Sequence, residues 1–175
     1  MRRMVQTIFT TVALVLASTA FAAPPALKAP VQPLGFMVGR WSGDAGKAEN
    51  GVTTKGLIAV EPAVGGAALM SRGHTDLFSA KGEPIGGFDQ LLLVYPEGSG
   101  LHADYLDGDH VIHYVSAAVD PGKSVTFTTA KTPGPPRFRL TYSLRTPDTL
   151  NIKFEMQPPG APDFQTIASG DAQRR

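Results

Sequence analysis

The chain has 175 residues, 16 Lys and Arg against 15 Asp and Glu, a net charge of +1, four histidines and no cysteine. With neither a basic run nor a strong charge imbalance it lacks the electrostatic footprint for nucleic acid or an anionic membrane surface. The absence of cysteine removes a disulfide scaffold, thiolate metal sites and thiol catalysis together.

Met1, Arg2 and Arg3 precede an apolar run from Val12 to Ala17, and Ala20-Phe21-Ala22 supplies the small residues a signal peptidase needs. The apolar stretch from Ile8 to Ala17 falls short of the roughly 20 residues needed to cross a hydrocarbon core, and no later stretch is long enough. We therefore expect 1–22 to be a signal peptide, with no integral membrane segment in the mature chain and a periplasmic or secreted location. Cleavage after Ala22 is expected, because cleavage after Ala23 would place Pro24 directly after the scissile bond. The expected mature chain of 153 residues carries a net charge of −1 and suits one domain with a sizeable core.

Residues 23–33 hold four prolines and are read as an extended leader, with the domain spanning 34–175. Beyond them, alternating apolar and polar runs separated by Gly, Pro and Asp predict an all-β protein. The clearest alternation is in Phe138, Leu140, Tyr142 and Leu144, followed by Leu150, Ile152, Phe154 and Met156, with Thr146-Pro147-Asp148 as the turn of a hairpin. The same pattern predicts strands near 38–46, 52–61, 66–78, 85–95, 101–106, 110–119, 123–130, 136–145, 149–157 and 163–172. Short connections such as Asp107-Gly108 and Pro121-Gly122 make sequence neighbours spatial neighbours. The expected architecture is an antiparallel up-and-down closed barrel of about ten strands, with a short N-terminal turn or 3-10 segment closing one end. Ten strands imply interior room, which Phe36, Phe78, Phe88, Phe127, Phe138, Phe154 and Phe164 could partly fill.

Leu34 to Gly43 reads Leu-Gly-Phe-Met-Val-Gly-Arg-Trp-Ser-Gly, and Arg174, with Arg175 as an alternative, ends the last predicted strand. Gly39-x-Trp41 with a terminal Arg resembles the calycin signature of lipocalins and fatty-acid-binding proteins, and the phrase around Trp41 is similar to the nitrobindin-like branch. The resemblance implies that the Arg packs on the Trp at the barrel floor and that a small apolar or amphipathic ligand is held inside. Nitrobindin-like proteins hold haem through a histidine near the C-terminal end of the barrel, but no histidine follows His113. Haem of that type is disfavoured and no cofactor is expected; His74 or His113 remains an option for a metal on another strand.

Arg72, His74 and Asp76 recur at every second position of one strand and share a face. The expected reading is an outward, solvated face. The alternative turns them inward, where Arg72 offers a bidentate partner for a carboxylate and Asp76 orients His74 for proton transfer. His110 and His113 fall on opposite faces and cannot share a metal. Asp104, Asp107 and Asp109 lack the longer calcium-loop pattern. The glycines around 65 and 86 lack phosphate-loop spacing and are read as bends, and no serine sits in a nucleophile elbow. Tyr105, Tyr114 and Tyr142 offer polar tips on apolar bodies, suited to a cavity wall or to ordinary packing at a rim. The ligand-contact candidates are thus Arg72, His74, Tyr105, His113 and Tyr142. The functional expectation is interior ligand binding, against an enzyme built on the Arg72/His74/Asp76 cluster or a packed envelope interaction module.

Overall fold

A computed structural model describes residues 25–45 and 51–175, so the expected signal peptide lies outside the described residues. The strands are β1 (Gly39–Ala45), β2 (Thr53–Ala63), β3 (Ala68–Phe78), β4 (Pro84–Glu97), β5 (Gly100–Leu106), β6 (Val111–Asp120), β7 (Ser124–Thr129), β8 (Arg137–Thr146), β9 (Thr149–Gln157) and β10 (Gln165–Arg174). Each pairs antiparallel with its sequence neighbours, and β1 pairs with β10 through Trp41 opposite Arg174. This is the predicted closed up-and-down barrel, and closure pairs the first strand with the last so that neither is left as an edge.

Alternation explains the walls. Leu140, Tyr142 and Leu150 are buried, as are their cross-strand neighbours Val125 and Phe127 on β7. The intervening Arg139, Thr141 and Lys153 face outward. The interior phenylalanines include Phe127, fully buried, and Phe138 stacked on Phe154 with centroids 5.6 Å apart. Phe78 and Phe164 instead lie under the cations of Lys55 and Arg139. Phe164 is held outside because the β9–β10 connection folds back over the wall, where Gln157 Nε2 donates to the carbonyls of Ala161 and Pro162, each at 2.9 Å.

One end of the barrel is plugged. A 3-10 turn, Gln32–Met37, buries Leu34, Phe36 and Met37. Trp41 is 1% exposed and its indole N–H donates to the Met37 carbonyl at 2.8 Å. The Arg174 guanidinium lies 4.1 Å from the Trp41 ring and donates to the Val38 carbonyl at 2.8 Å. Gly39, at φ 137°, makes room for it, since a Cβ there would strike the Arg174 guanidinium. The three signature residues thus form one contact set at the floor. The leader is more than an extended tail: Val31 is fully buried, the Lys28 N–H donates to the Gly66 carbonyl at 2.8 Å, and Pro33 accepts from the Gly122 N–H at 3.0 Å.

The opposite end is uneven. β5 pairs with β4 only from Leu91 to Glu97, so the segment Pro84–Gln90 of β4 rises above the short β5–β6 hairpin with β3 on its other side. A notch results in the wall.

Candidate functional site

The notch matters because it brings the outer surface close to the interior. An open depression of about 500 Å³ is lined by Arg72, Asp89, Leu91, Leu106 and Gly108 together with Gly73 and Gln90. Gly73 and Gln90 also line an interior cavity of about 20 Å³, whose other walls are Ile58, Ser71, Leu92, Tyr105 and Tyr142. Two inward-facing residues, one without a side chain, therefore border both spaces. The Gln90 amide donates to the Thr75 hydroxyl at 2.8 Å, which sets its side chain across the inner face of β3 and β4.

The interior layer mixes polar side chains with Ile58 and Leu92. Ser71 is buried, and the phenols of Tyr105, Tyr114 and Tyr142 are all pushed well above their ordinary range by burial. They stay neutral and act as hydroxyl donors. The Tyr105 hydroxyl donates to Asp107 at 3.3 Å, at the tip of the β5–β6 hairpin. The Tyr114 hydroxyl is buried without a hydrogen-bond partner among the described residues. Tyr114 is directly opposite Ala103 on β5, one inward step from Tyr105.

Of the five ligand-contact candidates, Tyr105 and Tyr142 meet at the interior cavity, and Arg72 stands on the outer side of the same notch. Arg72, His74 and Asp76 project from the outer face of β3. Arg72 approaches Glu61 at 3.5 Å, with both side chains more than half exposed. His74 Nδ1 lies 2.7 Å from Asp89 and its Nε2 lies 3.2 Å from Asp76, so a carboxylate faces each ring nitrogen. Those contacts favour the doubly protonated ring, and the Asp89 and Asp76 hydrogen bonds hold its pKa above the usual value. The outward placement removes the reading in which His74 acts on a molecule inside the barrel. His113 is outside too, 2.7 Å from Asp104, which also accepts from the Tyr95 hydroxyl at 3.1 Å. His113 lines neither the outer depression nor the interior cavity.

The residues missed from the sequence are Ser71, Gly73 and Gln90. Their signal was present in part: if Arg72, His74 and Asp76 face out, then Ser71, Gly73 and Thr75 face in, giving β3 a small and polar inner face at this level. No group of three or more His, Asp or Glu able to hold a metal ion occurs among the described residues. No protein-family model matches the chain, and no curated protein is significantly similar to it.

Proposed function

We propose that this is an exported barrel protein that binds a small, partly apolar molecule at the notch, with the apolar part in the outer depression and a polar end in the tyrosine layer. The observation that carries the reading is the sharing of Gly73 and Gln90 by an outer depression of about 500 Å³ and an interior cavity lined in part by Ser71, Tyr105 and Tyr142. That outer volume falls within the range of roughly 300–1,000 Å³ typical of small-molecule sites. The interior cavity of about 20 Å³ suits a single polar group, since a water needs roughly 10–15 Å³ of such space. A long acyl chain threaded through the core does not fit this arrangement. The calycin resemblance supports the same general reading, and the N-terminal pattern of charged, apolar and small residues supports periplasmic or secreted location.

The test uses prodan, a neutral naphthyl ketone whose emission shifts blue in an apolar site. Saturable binding with a blue shift is expected, together with its loss in Leu106→Glu, which places a charge at the depression's lip on a residue already 37% exposed. Absence of binding, or equal binding by the variant, contradicts the reading.

A second reading has an observation of its own. Leu57, Ile85, Val111 and Val115 are each more than 40% exposed on or near the outer wall. With so little free interior volume, these favour a packed barrel that serves as an interaction module in the envelope.

A further inference from the structure

We infer that the molecule held at the notch is a short basic peptide lying extended against β4 as an added strand; this rests on the ligand-binding reading above and names its ligand class. The unpaired edge of β4 carries the inference. β3 runs beside β4 from Pro84 to Val94, whereas β5 pairs with it only from Leu91 to Glu97. Along residues 86–90 no strand lies on the β5 side among the described residues, which leaves an open lane.

Parity says which backbone groups face that lane. Glu97 and Gly100 close a two-residue turn and therefore exchange hydrogen bonds, so Tyr95, Leu93 and Leu91, at every second position, also bond to β5. Pro96, which has no N–H, falls on the other parity. Continued past Leu91, the pattern turns the N–H and C=O of Asp89 and Gly87 into the lane, where no strand or turn among the described residues takes them up. The regular edge stops at Gly86, with φ 142° and a register shift against Leu77 and Phe78. Two donors and two acceptors thus repeat over about 7 Å, the two-residue spacing of an extended chain. A peptide backbone matches that repeat, and strand addition to a free edge is a general mode of peptide binding.

The depression receives a side chain. Leu91 and Leu106 are cross-strand partners that line it at the foot of the lane, so an apolar residue of the peptide rests on them. Charge selects a basic peptide over a second copy of this chain. Asp89 lines the depression with its side chain 92% exposed, Asp76 is opposite Gly87, and Asp107 and Asp109 flank Gly108 at the lip. Arg72, the cation lining the depression, is drawn to Glu61 at 3.5 Å. Protonated His74 and His110 offset two of the four carboxylates at most. A second copy pairing edge to edge would bring two sets of these carboxylates together, whereas a peptide carrying Lys or Arg meets them with opposite charge.

The probe is acetyl-Lys-Val-Thr-Val-Lys-amide, titrated into the full mature protein and followed by amide NMR. Saturable binding is expected, with hydrogen exchange at the Gly87 and Asp89 amides slowed at least tenfold. The same peptide N-methylated at its three central residues should bind at least tenfold more weakly, the equivalent of one good hydrogen bond or more. The counterpart with Glu in place of both Lys residues should also bind more weakly. Asp89→Pro removes an N–H that the barrel does not use, so its urea midpoint should stay close to that of Asp89→Ala while peptide binding is lost. Asp89→Ala keeps the N–H and should lose only a few-fold in affinity. Equal binding of the N-methylated peptide, tighter binding of the Glu peptide, or unchanged exchange at Gly87 and Asp89 overturns the added strand. If prodan binds and no peptide does, this inference falls while the ligand-binding reading stands; if neither binds, both fall. A free protein that is dimeric with these two amides already protected overturns the peptide in favour of a second copy. The wild-type comparisons decide even if the proline variant folds poorly.

Discussion

Replacing Arg174 with alanine removes the part of the floor that ties the last strand to the first. The guanidinium lies 4.1 Å from the ring of a Trp41 that is 1% exposed, and the arginine side chain itself is 33% exposed. A cation over an aromatic ring contributes ~0.5–1 kcal/mol when exposed and ~2 kcal/mol when desolvated, so this half-sheltered pair contributes about 1 kcal/mol. The 2.8 Å bond to the Val38 carbonyl is charge-assisted, and with its solvent exposure discounted it contributes roughly 1 kcal/mol more. The 3.8 Å approach to Asp148, itself 78% exposed, adds little. The expected loss is therefore about 2 kcal/mol, or roughly 4–8 °C in Tm for a domain of this size. Urea unfolding followed by Trp41 fluorescence measures it as a fall in midpoint at constant slope. Arg174→Lys should recover only part of the loss, because an ammonium lacks the planar face. A loss below about 0.5 kcal/mol, the range of an ordinary surface substitution, would refute the assignment of Arg174 to the floor.

Gly43→Ala tests the closure of the barrel itself. A Cβ at Gly43 would overlap the Asp171 carbonyl oxygen and crowd Ala172 Cα, so β1 and β10 must separate; a loss of about 1–3 kcal/mol in urea unfolding is expected. Glu155 is 5% exposed, accepts a two-pronged bond from Arg139 at 2.7 and 2.9 Å and pairs with Lys153 at 3.1 Å. The Arg139 guanidinium holds its pKa below the ordinary value. Its stabilisation is present above the unfolded-state pKa of about 4.3 and is lost as pH falls through the lower folded-state value. Glu155→Gln should cost about 2 kcal/mol at pH 7, less than a fully buried pair because Arg139 is one-third exposed. That difference should vanish in acid. His74 behaves in the opposite sense: its raised folded-state pKa gives a contribution present below about pH 6.5 and lost as pH rises through the folded value. NMR titration of the ring should give a midpoint above 6.5, returning toward it in Asp89→Asn.

The barrel was legible in the sequence because alternation and turn chemistry are local. Phe138 to Leu144 and Leu150 to Met156 each show a buried and a wet face without any knowledge of their neighbours, and Thr146-Pro147-Asp148 marks where they join. The Trp41–Arg174 contact was foreseen only through the family resemblance, since nothing local links residues 133 positions apart. The notch was not legible. It depends on where β5 stops against β4, and the run from Ile85 to Gln90 mixes glycines with Phe88 and Asp89, giving no clean period. Gln90 therefore carried no visible sign of facing inward. Phe164 misleads for a related reason: an aromatic residue beside a strand suggests the core, but the fold-back of the preceding loop sets it outside over Arg139. Tyr105 and Tyr142 could be read as wall residues; that they face a cavity sharing Gly73 and Gln90 with the notch required the register.

The central claim is that a small molecule occupies the notch and the tyrosine layer. Native mass spectrometry of the protein purified without denaturation from its own cell envelope tests it most directly. The account predicts a mass above that of the mature chain that disappears on denaturing extraction and falls away in Leu106→Glu. A bare protein mass, together with no saturable uptake of prodan, would contradict it and leave the packed interaction barrel as the better description.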